Sequence, residues 1–594
     1  MFDAIGLIFQ QEFLMRALVV GVLISLCCSL LGVSLVLKRF SMIGDGLSHV
    51  SFGAMAIAAV ANLSPLAFAL PIVVISAFVL LRMSEKSKVK GDAAIALVST
   101  GALAMGIMVT SMTTGMNVDI YNYMFGSILT MSESDVVIST ILSVAVISIF
   151  FVFYHEIFAV TFDESFAKAT GTKVSLYNML IAALTAVTIV IGMKMMGALL
   201  ISSLIIFPTV TSLRVCKSYK KVVFCGAAIS VFCFLSGLVF SIKYEAPTGA
   251  SVVCINIFML VVFTVIKNIT SLDINKKLKT VLQSAVCLLS LGAFLLVMMF
   301  SSAETYKKDK TTIVTTAFVH YDFARQISGD KADVIMLLSP GEESHTYEPT
   351  PADILKIQQC DVFVYTGGES EHWVDEILQS IEKDVKTVKM MEVTELYKES
   401  HKDGMQTEHE NDHIHDEHEE YDEHVWTSPE NAVKIVEAIA ASIISVDKVN
   451  EDYYRNNASE YISKLLKLDT DFKEMFSHKN KDYIIVADRF PLMYFTKHYT
   501  LDYYAAFPGC SAQVEANPAT VAFLIDKVND EKVSTVFKVD LSKGNLARSI
   551  SDATGAKVDT LYSCHVISAE DFEKGENYIS LMYRNLEALR LALI

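Results

Sequence analysis

Lys276-Lys-Leu-Lys-Thr-Val-Leu-Gln-Ser-Ala-Val-Cys-Leu-Leu-Ser-Leu-Gly-Ala-Phe-Leu-Leu-Val-Met-Met-Phe300, followed by Ser301-Ser302-Ala303-Glu304, divides the 594-residue chain into two halves suited to different solvents. Three lysines precede an apolar run that ends on small residues, the pattern of a secretory signal peptide. Here the pattern lies inside the chain, and no cysteine follows the apolar run to mark a lipoprotein-type processing site. It reads as a signal anchor kept as a helix, with late cleavage at Ser302/Ala303 as the other outcome. The segment predicts a membrane half before it and a domain carried outside the membrane after it.

Charge follows the same division. Of the formal net charge of −17, residues 1–301 carry about +6 and residues 302–594 about −23, an asymmetry that argues for two domains in different environments. An acidic outer half disfavours nucleic acid and suits a cation. Apolar runs near the length of a membrane helix fall at about 13–37, 46–61, 66–81, 93–114, 134–154, 176–194, 196–213, 222–242, 250–266 and 281–301. Lys38/Arg39, Arg82/Lys86/Lys88/Lys90, Lys168/Lys173, Arg214/Lys217/Lys220/Lys221 and Lys267/Lys276/Lys277/Lys279 lie in alternate loops. Positive loops face the cytoplasm, which places the N-terminus and residues 302–594 outside. The turn before the 196–213 run is only about two residues, so a re-entrant segment there would break the count.

Seven of the ten cysteines lie in or near the spans and pack as small apolar residues. Cys360, Cys510 and Cys564 lie outside, so at most one disulfide forms within the chain; Cys510 either bridges to Cys564 or stays free. No Cys-x-x-Cys pair and no phosphate loop of the form Gly-x-x-x-x-Gly-Lys-(Ser/Thr) occurs.

Within the outer half, His401-Lys-Asp-Gly-Met-Gln-Thr-Glu-His409-Glu-Asn-Asp-His413-Ile-His415-Asp-Glu-His418-Glu-Glu-Tyr-Asp-Glu-His424 packs six of the 14 histidines into 24 residues, among Asp and Glu. Imidazole and carboxylate are ligands for Zn²⁺ and Mn²⁺. A solvated acidic tract is the plain reading, and it is compatible with His409, His413, His415 and His418 as auxiliary ligands in a loop spanning 401–423. Around this loop, β-rich runs (Thr312–Thr316, Val334–Leu338, Val362–Tyr365, Tyr483–Val486, Thr535–Val539) alternate with helical patterns, the mark of α/β layers. Residues 429–480 read as one helical stretch, opened by Ser428-Pro429-Glu430. The fold class predicted is a polytopic α-helical membrane domain followed by an α/β two-lobe metal-binding domain with a long linking helix.

In the membrane half, Leu31-Gly-Val-Ser-Leu-Val-Leu-Lys38-Arg39-Phe-Ser-Met-Ile-Gly44-Asp45-Gly-Leu-Ser48-His49 puts Asp45, Ser48 and His49 at helical spacing at the mouth of an apolar run. Ionisable residues at membrane depth usually face a cavity or a partner helix. The same residues also read as a helix cap with His49 hydrogen-bonded inside the bundle. Gly197-Ala-Leu-Leu-Ile-Ser202-Ser203-Leu-Ile-Ile-Phe-Pro208 combines small residues for close approach with a proline expected to break or kink its span. Together these runs, with Asp163-Glu164-Ser-Phe166-Ala167-Lys-Ala-Thr-Gly171, resemble the membrane permease of metal-ion ABC importers, over about residues 10–270. The resemblance implies that Asp163, Glu164, Phe166, Ala167 and Gly171 dock a separate ATP-binding subunit on the cytoplasmic face. It also implies that Asp45, Ser48 and His49 border the translocation pathway, and that the permease works as a homodimer.

The outer half resembles the zinc/manganese solute-binding proteins of such importers, over about 311–590. Ser344-His345-Thr-Tyr347-Glu348-Pro349 matches the first-ligand segment and Asp422-Glu423-His424-Val-Trp426-Thr-Ser428-Pro429-Glu430 the second, implying ligands at His345 and His424. The distal lobe departs from the pattern. Val486-Ala487-Asp488-Arg489-Phe490-Pro491-Leu-Met-Tyr494 aligns Arg489 with the third ligand, and arginine cannot ligate a cation; Asp488, one residue away, is the substitute, or else pairs with Arg489. Thr560-Leu-Tyr562-Ser563-Cys564-His565 offers His565 as the fourth ligand, with Cys564 next and a satisfied lobe histidine as the plain alternative. The implied set His345/His424/Asp488/His565 suits Zn²⁺ over Mn²⁺.

The predicted organisation is a permease domain over 1–280 with about nine membrane helices, a signal-anchor-like tenth helix over 281–303, and an extracytoplasmic two-lobe domain over 304–594. The function implied is a multi-pass subunit of a bacterial cell membrane, in contact with lipid. It imports Zn²⁺ (alternatively Mn²⁺), is not itself an enzyme, and takes its energy from a separate ATPase. A membrane-anchored metal sensor is the competing class. A metallohydrolase lacks a His-Glu-x-x-His motif.

Overall fold

Backbone amides have no water to bond in lipid, so apolar runs of membrane length must fold as helices. The computed structural model describes residues 6, 8–61, 63–86, 91–111, 131, 133–244, 246–272, 275–300, 310–342, 347, 349–381, 385–399, 402, 404–405, 421–509 and 518–594. The chain divides into two units, one built mainly from Met1–Thr305 and the other from Tyr306–Tyr347 and Leu355–Ile594.

The first unit is helical: α1 Glu12–Leu37, α2 Ile43–Val60, α3 Pro65–Lys86, α4 Gly91–Ser111, α5 Glu133–Val152, α6 Tyr154–Phe162, α7 Glu164–Ala169, α8 Val174–Met196, α9 Ala198–Val215, α10 Tyr219–Tyr244, α11 Thr248–Ser271 and α12 Lys276–Phe300. A helix lies on each of the ten runs picked out in the sequence. Among the described residues, six helices (α1, Ser134–Val152 of α5, and α8 to α11) are long and apolar enough to cross a membrane; Pro65–Leu80 and Ala93–Val109 form shorter apolar helices. Gly197 alone separates α8 from α9, at φ +79° and ψ 159°, a conformation that costs any other residue dearly. The short turn expected between these spans is therefore one residue long. Pro208 does not break its span: α9 runs continuously through it. Gly32 lets α1 and α9 touch, because a Cβ there would lie 2.2 Å from the Ile205 carbonyl oxygen.

The second unit contains β1 Thr311–Thr315, α13 Phe318–Ser328, β2 Ala332–Met336, α14 Pro351–Gln359, β3 Val362–Tyr365, α15 His372–Ser380, β4 Lys386–Lys389, α16 Pro429–Val446, α17 Glu451–Ser477, β5 Tyr483–Phe490, α18 Met493–His498, β6 Asp502–Pro508, α19 Pro518–Asp530, β7 Thr535–Val539, α20 Asn545–Thr554, β8 Lys557–Leu561, α21 Ala569–Glu573 and α22 Tyr578–Leu593. Two four-stranded parallel sheets form, in the orders β2-β1-β3-β4 and β6-β5-β7-β8. The helical stretch expected over 429–480 is two packed helices, not one. It breaks at Asp447, whose carboxylate accepts from Asn450 Nδ2 at 2.8 Å and Tyr454 Oη at 2.6 Å and so competes with the backbone for the turn. One apolar core runs from Ile313 and Val364 to Ile484 and Phe537 by way of Trp426, Ile439, Leu465 and Phe472.

Candidate metal centre

Ligands of open parallel sheets gather beyond the carboxyl ends of the strands, and this chain sets polar residues there. Asp488 lies near the end of β5, Asp540 directly after β7, and His565 in the turn after β8. The segment leading to α16 adds His424. Its backbone is pinned from both sides: Asp422 N donates to Tyr397 O at 3.0 Å and Tyr494 Oη donates to Asp422 O at 2.9 Å. Asp422 Oδ1 accepts from His424 N at 2.8 Å and lies 3.3 Å from His424 Nδ1. This orients the imidazole through Nδ1, the carboxylate–histidine arrangement in which Nε2 is placed to take a metal. Burial opposes the charged form of His424, but Asp422 and Glu423 outweigh it and hold the pKa above the ordinary value.

His424 and His565 meet edge to face, with ring centroids 5.6 Å apart. Trp426 touches both rings, at 5.5 Å and 4.9 Å, and is itself fixed by Nε1 donating to Ser563 O at 2.8 Å and by Tyr578 Oη donating to its carbonyl at 2.7 Å. The turn that aims His565 uses Cys564 at φ +59°, an uncommon conformation for a non-glycine residue. Ser563 stabilises the turn: its Oγ accepts from His565 N at 3.2 Å. Its N and Oγ donate to the two oxygens of Asp540, at 3.0 and 3.2 Å. Burial pushes the Asp540 carboxyl up to about 6, against the pull of Ser563 and of His424. A cavity of about 160 Å³ opens beside Asp540, with Lys538, Tyr562 and Ile567 in its wall.

Two further acids support the lobe. Glu423 accepts from Ser370 N at 2.8 Å and from Ser370 Oγ. Glu371 accepts from Thr366 N at 2.6 Å and Gly367 N at 3.0 Å, and burial pushes it up to about 7. Both carboxylates fasten the turn after β3.

His345, His409, His413, His415, His418 and Cys510 lie outside the described residues. The structure brings His424 and His565 together. Asp488 takes strand-end amides, Arg489 N at 3.0 Å and Val539 N at 3.5 Å. Among the described residues no three His, Cys, Asp or Glu side chains stand close enough together to hold an ion. The sequence reading missed Asp422 and Asp540. Asp540 carried a usable signal, a carboxylate immediately after the β-rich run 535–539.

In the first unit, Asp45 and His49 lie one turn apart on α2, with Oδ2 and Nε2 separated by 3.7 Å. Ser48 spends its hydroxyl on Gly44 O at 2.9 Å. Asp163 caps α7 by accepting from Phe166 N at 2.9 Å. Ala167 is buried while Phe166 is 65% exposed, and Gly171 leaves the segment at φ +88°.

Residues 313–592 match the ZnuA family, periplasmic component A of the zinc-uptake complex, and residues 10–267 match the ABC 3 transport family. The high-affinity zinc uptake system protein ZnuA of Bacillus subtilis is 33% identical over 313 residues, which cover 51% of this chain and 95% of that protein. The zinc-binding lipoprotein AdcA of Streptococcus pneumoniae is 35% identical over 289 residues, 47% of this chain. The chain spans about half the length of the AdcA relatives it matches, 55% of that protein. The crystal structure of the Zn(II)-bound ZnuA-like domain of S. pneumoniae AdcA aligns at 32% identity and a TM-score of 0.41, over 48% of this chain and 99% of that one.

Proposed function

The chain belongs to the ZnuA family over its distal half and to the ABC 3 transport family over its proximal half, and we propose on that premise that it is the membrane subunit of an ABC importer for a divalent transition metal, Zn²⁺ ahead of Mn²⁺. The distal domain lies outside the cell membrane, captures the ion and passes it to the permease half of its own chain. A separate ATP-binding subunit docks on α7, and two copies of the permease assemble in the lipid. His345, His424, Asp488 and His565 are the ligands; Asp422 orients His424, and Asp540 holds the turn that aims His565. Asp45 and His49 border the path through the membrane.

The observation that carries this reading is the buried His424–His565 pair, oriented by Asp422 and packed on Trp426, in the half whose named relatives are zinc proteins. Two imidazoles favour Zn²⁺ over Mn²⁺, which prefers oxygen donors. The test is metal content and Zn²⁺/Mn²⁺ competition on the detergent-purified chain, wild type beside His345→Ala, His424→Ala, Asp488→Ala and His565→Ala. One tight Zn²⁺ per chain, lost in the variants, supports the reading. A preference for Mn²⁺, or a site indifferent to His424 and His565, would sink it.

A further inference from the structure

At the end of α1 the chain buries a cation. The Lys38 side chain is 9% exposed, and its Nζ donates to Glu164 Oε1 at 2.6 Å and to Asn178 Oδ1 at 2.5 Å. Asn178 Nδ2 closes the triangle by donating to the same Glu164 oxygen at 3.2 Å. The three residues belong to three elements: the end of α1, the first residue of α7 and the first turns of α8. Burial alone would raise the Glu164 pKa, yet Lys38 and Asn178 hold it below the ordinary value. A desolvated charge held by one carboxylate and one amide is costly to leave unpaired. The three elements are thus tied together wherever α7 goes.

One turn deeper a second polar layer repeats the tie. Thr161 Oγ1 donates to Ser34 Oγ at 3.2 Å, and Ser34 Oγ lies 3.3 Å from Tyr219 Oη. This connects α6, α1 and the start of α10. On the far side of Lys38 the chain turns abruptly. Arg39 adopts φ +63°, and Phe40 N returns to Leu35 O at 2.8 Å. Helix α2, with Asp45 and His49, begins at Ile43. A continuous path of contacts therefore runs from α7 through Lys38 and this tight turn to the ionisable residues of α2.

We propose that Lys38, Glu164 and Asn178 form a latch that transmits displacement of α7 to the α1–α2 turn, so that ATP-driven movement of the docking segment re-orients Asp45 and His49. The latch rests on the importer reading given above and adds Lys38 and Asn178 as positioning residues. Differential stabilisation of two arrangements is what couples distant sites, and a buried ammonium held by a half-exposed carboxylate and an amide favours discrete positions over intermediate ones.

The test uses the full chain with its ATP-binding subunit in proteoliposomes and reads Zn²⁺ taken up per ATP hydrolysed. Lys38→Met is expected to lower this ratio about tenfold while the ATP-binding subunit still copurifies, because Glu164 and Asn178 lose the ammonium that ties them to α1. Lys38→Arg is expected to keep most of it. The exchanged pair Lys38→Glu with Glu164→Lys is expected to recover a large part of the ratio lost in Lys38→Met, which a merely space-filling role would not produce. Should Lys38→Met fail to accumulate, Asn178→Leu keeps the charge balance and is expected to lower the same ratio. A wild type that imports, with a ratio unmoved by Lys38→Met or Asn178→Leu, overturns the latch alone, as does an exchanged pair that still copurifies the ATP-binding subunit and is no better than Lys38→Met. A wild type that hydrolyses ATP and takes up neither Zn²⁺ nor Mn²⁺ overturns the importer reading and the latch with it.

Discussion

A histidine becomes a ligand or a structural residue according to where its two nitrogens go. His424 commits Nδ1 to Asp422 and keeps Nε2. His320 commits both: Nδ1 accepts from Ala317 N at 3.0 Å, and Nε2 lies 3.1 Å from Thr366 Oγ1. Burial pushes the His320 pKa down to about 3, so the folded state refuses the proton that the unfolded chain takes up below about pH 6.5. The stability carried by neutral His320 is complete above that pH. It is lost as pH falls toward 3, by about 1.4 kcal/mol for each unit. Thermal melts of the His320→Gln chain between pH 7 and pH 4 are therefore expected to show a shallower acid slope than wild type; parallel slopes would contradict the assignment. At the same scale, Asp540→Asn is expected to weaken Zn²⁺ binding about 10- to 100-fold, the usual effect of losing an outer partner of a metal ligand. Competition against a chelating dye reads this directly.

At the scale of elements, short segments depend on single polar residues. Helix α7 has six residues and little helical propensity to draw on, so its Asp163 cap matters. Asp163→Ala is expected to cost about 1 kcal/mol of local stability and to reduce copurification of the ATP-binding subunit, which pull-down from membranes would measure. The one-residue turn at Gly197 is similarly intolerant. Gly197→Ala is expected to destabilise the α8–α9 hairpin by about 1–3 kcal/mol, seen as a lower melting temperature in detergent. Among strands, the central β1, β3, β5 and β7 stood out as apolar runs because both faces are covered. The edge strand β2 stood out as well, through Val334–Leu338, but β4, β6 and β8 were missed: Lys386-Thr-Val-Lys389 and Lys557-Val-Asp-Thr-Leu561 mix polar and apolar residues.

For the whole molecule, the importer reading proposed above makes capture and transport the work of one covalent unit. A covalent tether raises the local concentration of one part at the other. Cutting the chain between residues 302 and 309 is expected to make uptake depend on the amount of distal domain supplied, whereas the intact chain imports independently of any addition. Uptake assays with the two pieces co-expressed at different ratios would show it. Deleting 401–420 is expected to leave the tight site intact, because His424 takes its orientation from Asp422, which Tyr397 and Tyr494 hold in place. Loss of tight binding on deletion would make the loop part of the primary site.

Linear patterns were enough to establish the two-part architecture, the helices on the apolar runs and the alternating α/β order of the distal half. Hydropathy, charge sign and motif spacing are properties of neighbours along the chain, and each acts within a few turns. The tertiary structure alone decided which polar groups share a site. Asp540 joins His565 through Ser563, and Lys38 joins Glu164 and Asn178 across 126 and 140 residues. It also decided that 429–480 breaks at Asp447, where a side chain takes over from the helix ladder. Such pairings depend on burial that removes water and leaves each polar atom only the partner that folding brings to it.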